Sequence, residues 1–181
     1  MGLNINTANK LTLFRILLVP FFVILLIYGY YTSSLLVFSA ASLTDALDGL
    51  VARKYNQMTR LGGFLDPMAD KTLLVASCVT LAILRLLPGW FAVITISRDL
   101  IIVVGAMIVY ILTGNLNFTP TILGKAATMF QVLTITAALL GHLVQRLNHL
   151  TAFLIWVATL FTIVSGFQYV YIGMEMFNEV S

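Results

Sequence analysis

Long apolar runs alternate with short polar breaks along the chain, and six runs reach the roughly 20 predominantly apolar residues a helix needs to cross hydrocarbon. They predict helices at about 11–31, 33–53, 66–87, 90–112, 121–145 and 150–173. The separating breaks are Tyr31-Thr32-Ser33-Ser34, Asn56 to Gly63, Pro88-Gly89, Gly114 to Pro120 and Gln145 to His149. There is no internal repeat and no low-complexity segment. The expectation is one all-α membrane domain over 1–181, with six transmembrane helices in a single bundle. The first run is too long for a signal peptide and lacks a small-x-small cleavage site, so it is expected to stay attached.

Composition agrees. Of the 181 residues, 60% are hydrophobic and 9% charged, against roughly 45–50% and about 25% in soluble domains. The mean hydropathy is +1.01. A soluble, collagen-like, disordered or disulfide-stapled chain is excluded, and the lone Cys78 reads as a small core residue. The net charge of +3 is too small and dispersed to indicate nucleic acid. With six spans both termini share one side. Lys10, Arg53, Lys54, Arg60 and Lys125 fall there, and Arg85 and Arg146 on the other. The positive-inside rule then puts the termini in the cytoplasm, as in a bacterial inner-membrane protein.

The acids change the picture from membrane protein to enzyme. Seven Asp or Glu exist, and Asp45, Asp48, Asp66 and Asp70 lie within 26 residues of largely apolar sequence. An ionised carboxylate in the bilayer costs at least about 2.5–3.5 kcal/mol on insertion scales, so four together demand a compensating cation or a watery cavity. Spacings of three and four put each pair on one helical face. If Pro67 marks a helix start, Asp66 is its N-cap instead. A short link makes helices two and three antiparallel neighbours, so the carboxylates should converge on a cytoplasm-facing polar cavity. Hard divalent cations, Mg²⁺ or Mn²⁺, suit such a donor set. Two of them about 3.5–4 Å apart would form a clamp for phosphoryl displacement. Gly49, Ala52 and Gly62 leave room for a ligand beside the backbone. Ion-paired packing with Arg53, Arg60 and Lys71 would also hold the acids, but does not require small residues in register with them.

The full segment, Asp45-x2-Asp48-Gly49-x2-Ala52-Arg53-x8-Gly62-x3-Asp66-x3-Asp70, resembles the signature of the CDP-alcohol phosphatidyltransferase family at every fixed position. Asn9-x2-Thr12-x2-Arg15 resembles that family's N-terminal element. The resemblance implies transfer of a phosphatidyl group from CDP-diacylglycerol to a hydroxyl acceptor, with release of CMP, by a homodimer among membrane lipids. It implies that Asp45, Asp48, Asp66 and Asp70 hold two metal ions and that Asp70 is the general base. It also implies that Gly49, Ala52, Arg53 and Gly62 receive the nucleotide. Asn9, Thr12, Arg15 and Arg60 are accessory candidates.

Arg98 and Lys125 are the candidates for an acceptor anion site, each buried by the span reading and without an obvious acid partner, although Arg98 could pair with Asp99. Ile96-Ser97-Arg98-Asp99 and Gly124-Lys125-x2-Thr128-x2-Gln131 resemble the glycerol-based branch, which holds phosphatidylglycerophosphate synthases and single-motif cardiolipin synthases. The first group tends to carry more basic residues here. The shortage points to phosphatidylglycerol as acceptor and cardiolipin as product, with glycerol 3-phosphate as the alternative. A divalent-cation transporter could use the same aspartates, but the acids cluster at one end and leave no polar path across the outer half.

Overall fold

A computed structural model describes residues 7–55, 62–113 and 121–178, with the backbone alone described at 7–15, 45–55, 62–70, 106, 109–113, 145 and 176–178. The described residues form six α-helices: α1 Thr7–Ile27, α2 Tyr31–Tyr55, α3 Gly62–Ile83, α4 Gly89–Thr113, α5 Ile122–Leu143 and α6 Asn148–Asn178. A single 3-10 turn, Gln145–Leu147, joins α5 to α6. Short connections alternate the helix directions, so the start of α1, the end of α2 and the start of α3 share one end of the molecule.

The break between the first two helices falls at residues 28–30, and Tyr31-Thr32-Ser33-Ser34 belong to the first turn of α2 rather than to a loop. Gly29 is the reason. At φ 78° it takes the left-handed position that ends α1, with Gly29 N–H donating to Leu26 O at 3.0 Å and Tyr30 N–H to Leu25 O at 2.9 Å. Ser34 then folds its hydroxyl onto Tyr30 O at 3.0 Å, a local bond a helical turn absorbs. α3 ends in the same motif, except that the left-handed residue is Arg85, at φ 59°. At its other end α3 begins at Gly62, so Asp66 lies inside the helix and is not its N-cap.

The core sits between α1, α2, α3 and α5, around Phe22, Leu26, Phe38, Leu73, Leu81, Ile135 and Leu139. Phe22 and Phe38 bring their ring centroids to 5.7 Å. Cys78 is buried among them as expected. One packing relationship differs from expectation. Among the described residues α2 and α3 both pack on α1, and neither packs extensively on the other. α1 therefore holds the two aspartate-bearing helices in place. α5 packs most extensively on α6, which also carries α4.

The surface is inverted relative to a water-soluble protein. Ile83 is 74%, Phe167 73% and Trp156 68% exposed, while Ser77, Gln131, Thr134, Thr162 and Ser165 are buried. Most hydroxyls in the interior are satisfied by the preceding turn, as with Thr162 Oγ1 to Ala158 O at 2.7 Å. Apolar side chains outside and mostly satisfied polar ones inside suit a lipid solvent. Among the described residues α5 and the Asn148–Glu175 stretch of α6 are long and apolar enough to cross a membrane.

Candidate functional site

The acidic constellation lies on two helices. Asp45, Asp48, Gly49, Ala52 and Arg53 fall in the second half of α2, and Gly62, Asp66 and Asp70 in the first half of α3. Both halves adjoin the same connection, 56–61, so the four aspartates lie toward one end of the molecule. Helical backbone at both places keeps the i, i+3 and i, i+4 spacings that put each pair on one face. Asn9, Thr12 and Arg15 lie in the first half of α1. Arg60 lies outside the described residues.

The donor set fits hard divalent cations, being all carboxylate oxygen without sulfur or imidazole. Among the residues whose side chains are described no group of three or more His, Cys, Asp or Glu gathers closely enough to hold a metal ion, and the four aspartates are not among those residues.

One residue beyond Asp70, the side chains are described and form an ion cluster. Lys71 Nζ, from α3, donates to Asp99 Oδ1 on α4. Arg98 Nη1 donates to the same oxygen at 2.7 Å. Arg98 thus has a fixed acid partner, which the sequence did not make obvious, and Lys71 shares it. Arg98 and Asp99 are 5% and 6% exposed. Among the described residues two cations meet one carboxylate, with Arg98 and Asp99 buried and Lys71 partly exposed. A buried cation is expensive unless paired, and for Arg98 the Asp99 carboxylate provides the pair.

α5 and α6 complete the surroundings of Arg98. Nη2 donates to Ser165 Oγ at 2.8 Å and reaches Gly124 O at 3.5 Å. The guanidinium lies over the Tyr169 ring, 5.6 Å from its centroid, where a cation meets the negative ring face. Tyr169 Oη in turn accepts from Thr121 N–H at 3.1 Å. Thr121 caps α5, its Oγ1 accepting from Gly124 N–H at 3.1 Å. Gly124 is required by this crowding: a Cβ there would lie 2.8 Å from Tyr169 Oη and 3.1 Å from Arg98 Nη2. Lys125 follows in the first turn of α5. It is exposed rather than buried, on the opposite side of that turn from the buried Gly124 and Ala127.

Sequence reasoning missed Lys71, Ser165 and Tyr169 as parts of this arrangement. The four-residue spacing of Ser165 and Tyr169 puts them on one face of α6, a usable signal, but nothing in the sequence says that this face meets Arg98. Gln131 is held by α6, its Nε2 donating to Thr162 Oγ1 at 3.0 Å. His142 is exposed at the far end of α5, its ring 4.0 Å from that of Tyr31.

Comparison with known proteins adds an independent finding. Residues 5–164 match the family model described as CDP-alcohol phosphatidyltransferase. A CDP-diacylglycerol–glycerol-3-phosphate 3-phosphatidyltransferase of Bacillus subtilis is 35% identical, the match covering 91% of this chain and 93% of that protein. The Haemophilus influenzae protein of the same name is 37% identical over 94% and 95%. A Drosophila melanogaster protein named "Probable cardiolipin synthase (CMP-forming)" is 33% identical, over 92% of this chain and 58% of its own length.

Proposed function

The chain belongs to the CDP-alcohol phosphatidyltransferase family, and from that premise we propose that it transfers a phosphatidyl group from CDP-diacylglycerol to glycerol 3-phosphate, releasing CMP. The observation that supports this choice of acceptor is that the glycerol-3-phosphate enzymes named above match nearly the whole chain, with the buried Arg98 as the cation that would meet the phosphate. Counting Arg98 and Lys125 alone pointed to phosphatidylglycerol, since a phosphate dianion wants more basic groups. Lys71 does not change that count, because Asp99 cancels its charge, so the relatives rather than the charge support this acceptor. The glycerol-3-phosphate enzymes named above agree with this reading better than with cardiolipin synthesis.

In this reading Asp45, Asp48, Asp66 and Asp70 hold two Mg²⁺ or Mn²⁺ ions. When bound, the ions neutralise the diphosphate of CDP-diacylglycerol and polarise its oxygens. Asp70 takes the proton of the acceptor hydroxyl as that oxygen bonds to the β-phosphorus, and the bond to CMP breaks with its electron pair leaving on CMP. Gly49, Ala52 and Gly62 admit the nucleotide, Arg53 sits by its phosphates, and Arg98, with Lys125 at the rim, receives the acceptor phosphate. The helices of 21 to 31 residues are each about 30 Å or longer at 1.5 Å per residue, enough for six spans. Both termini and the site then face the cytoplasm, and the enzyme works as a homodimer.

The test is purified protein in lipid nanodiscs with CDP-diacylglycerol, Mg²⁺ and a panel of alcohols, reading CMP and the lipid product. Glycerol 3-phosphate should give the largest kcat/KM and phosphatidylglycerophosphate as product. Preference for phosphatidylglycerol would make it a cardiolipin synthase, as the Drosophila relative is named. No CMP with any alcohol would overturn the transferase reading.

A further inference from the structure

Three polar groups within one turn of α4 are buried without a hydrogen-bond partner: Thr95 Oγ1, Arg98 Nε and Asp99 Oδ2. Each such group costs the folded protein unless something satisfies it. Thr95 is unusual among its kind. Thr80, Thr134, Thr159 and Thr162 all donate to the carbonyl four residues back, whereas Thr95, 1% exposed, does not. The orphans are also complementary. Arg98 Nε is a donor, Asp99 Oδ2 a charged acceptor, and the Thr95 hydroxyl can be either. Because Arg98 Nη1 and Asp99 Oδ1 are already bonded to each other at 2.7 Å, Nε and Oδ2 sit on one joined guanidinium–carboxylate pair, and a single small molecule can address both. Arg98 also borders a cavity of about 270 Å³ between α4 and α6, whose lining is mostly apolar apart from Ser97, Arg98 and Thr162; Asp99 lies next along the helix, outside that lining.

We propose that Arg98 and Asp99 together form a subsite for a glyceryl phosphate unit, in which Asp99 Oδ2 accepts a hydrogen bond from the secondary hydroxyl while Arg98 Nε donates to a phosphate oxygen. This rests on the acceptor reading above and adds to it the group that reads the carbon next to the phosphate ester. A ligand with a phosphate alone would satisfy Arg98 and leave Asp99 Oδ2 orphaned. One with a hydroxyl alone would leave Arg98 Nε without an anionic partner. A hydroxyl vicinal to a phosphate ester supplies both. Asp99 is thereby a specificity residue: a site built to bond a substrate hydroxyl rejects the analogue without it, because its own polar atom is left unpaired.

The experiment compares glycerol 3-phosphate with 3-hydroxypropyl phosphate, which keeps the phosphate and the attacking primary hydroxyl but lacks the secondary one. In nanodiscs with CDP-diacylglycerol and Mg²⁺, the unmodified protein should favour glycerol 3-phosphate by roughly 10- to 100-fold in kcat/KM, the range for leaving one buried polar group unsatisfied. A parallel arm with phosphatidylglycerol and phosphatidyl-1,3-propanediol shows whether the unit is read as a free ester or as a lipid headgroup. Asp99→Ala should bring the ratio to within about threefold of one, by losing activity on the hydroxyl-bearing acceptor. If that variant does not accumulate, Asp99→Asn, which keeps the shape but replaces the charged acceptor, should lower the ratio severalfold. A ratio near one in the unmodified protein overturns the subsite while CMP release from glycerol 3-phosphate leaves the transferase intact. A high ratio that survives substitution of Asp99 overturns its role. Absence of CMP with every acceptor removes both readings together.

Discussion

Gly124 of α5 and Tyr169 of α6 approach so closely that a Cβ at position 124 would lie 2.8 Å from the tyrosine hydroxyl oxygen. The contact links the start of α5, with Lys125, to the ring that faces Arg98. Gly124→Ala should displace Tyr169 or Arg98 and destabilise the protein by about 1–3 kcal/mol, the usual cost of overpacking. Gly173→Ala is the control. Nothing lies within 4 Å of its added Cβ, and alanine favours a helix interior by up to about 1 kcal/mol. Thermal unfolding in detergent, followed by tryptophan fluorescence, should show a lower midpoint for the first variant and an equal or higher one for the second.

Metal removal provides the second prediction. Four carboxylates near one another raise each other's pKa unless a cation holds them. CMP release should vanish in EDTA and return with Mg²⁺ or Mn²⁺, and Asp45→Asn, Asp48→Asn and Asp66→Asn should each abolish it. Full turnover in chelator would remove the metal role.

Asp70 separates binding from chemistry. A base acting on the acceptor proton contributes mainly in the transition state. Asp70→Asn should therefore lower kcat by at least about 10²-fold while retaining much of the affinity for CDP-diacylglycerol, measured by binding to the detergent-solubilised protein. Parallel loss of binding would make Asp70 chiefly a metal ligand.

The cation cluster predicts a selective defect. Arg98→Met and Lys71→Met each remove one of the two donors to Asp99 Oδ1, and a hydrogen bond to a charged group is worth about 1.5–3 kcal/mol. Acceptor KM should rise about tenfold or more, with KM for CDP-diacylglycerol little changed. Lys125→Met, at an exposed position, should have the smaller effect of a screened surface charge. Equal defects for all three would argue against a buried anion site.

The helices were legible because each is a long apolar run, and their ends were less so because turn geometry decides them. Gly29 ends α1 before the polar Tyr31-Thr32-Ser33-Ser34, which the hydropathy pattern alone assigns to a loop. The aspartates were legible through spacing along two helices. The acceptor side was legible only in part. Arg98 and Lys125 announce themselves as charges in apolar sequence, but which of them is buried depends on packing between α4 and α6. The pairing of Lys71 with Asp99 spans 28 positions, a distance at which no periodicity carries information.

The chain divides its labour along its length. The groups proposed to hold the donor and the metal lie on α2 and α3, which pack on α1, while most of those proposed for the alcohol lie on α4 to α6. Lys71 and Asp99 bridge the two sets by one ion pair. Such a division lets the second half drift toward a new alcohol while the first keeps the same nucleotide chemistry. A chimera joining residues 1–83 of this chain to α4–α6 of a relative with another acceptor should accordingly adopt the relative's alcohol, provided a carboxylate still meets Lys71.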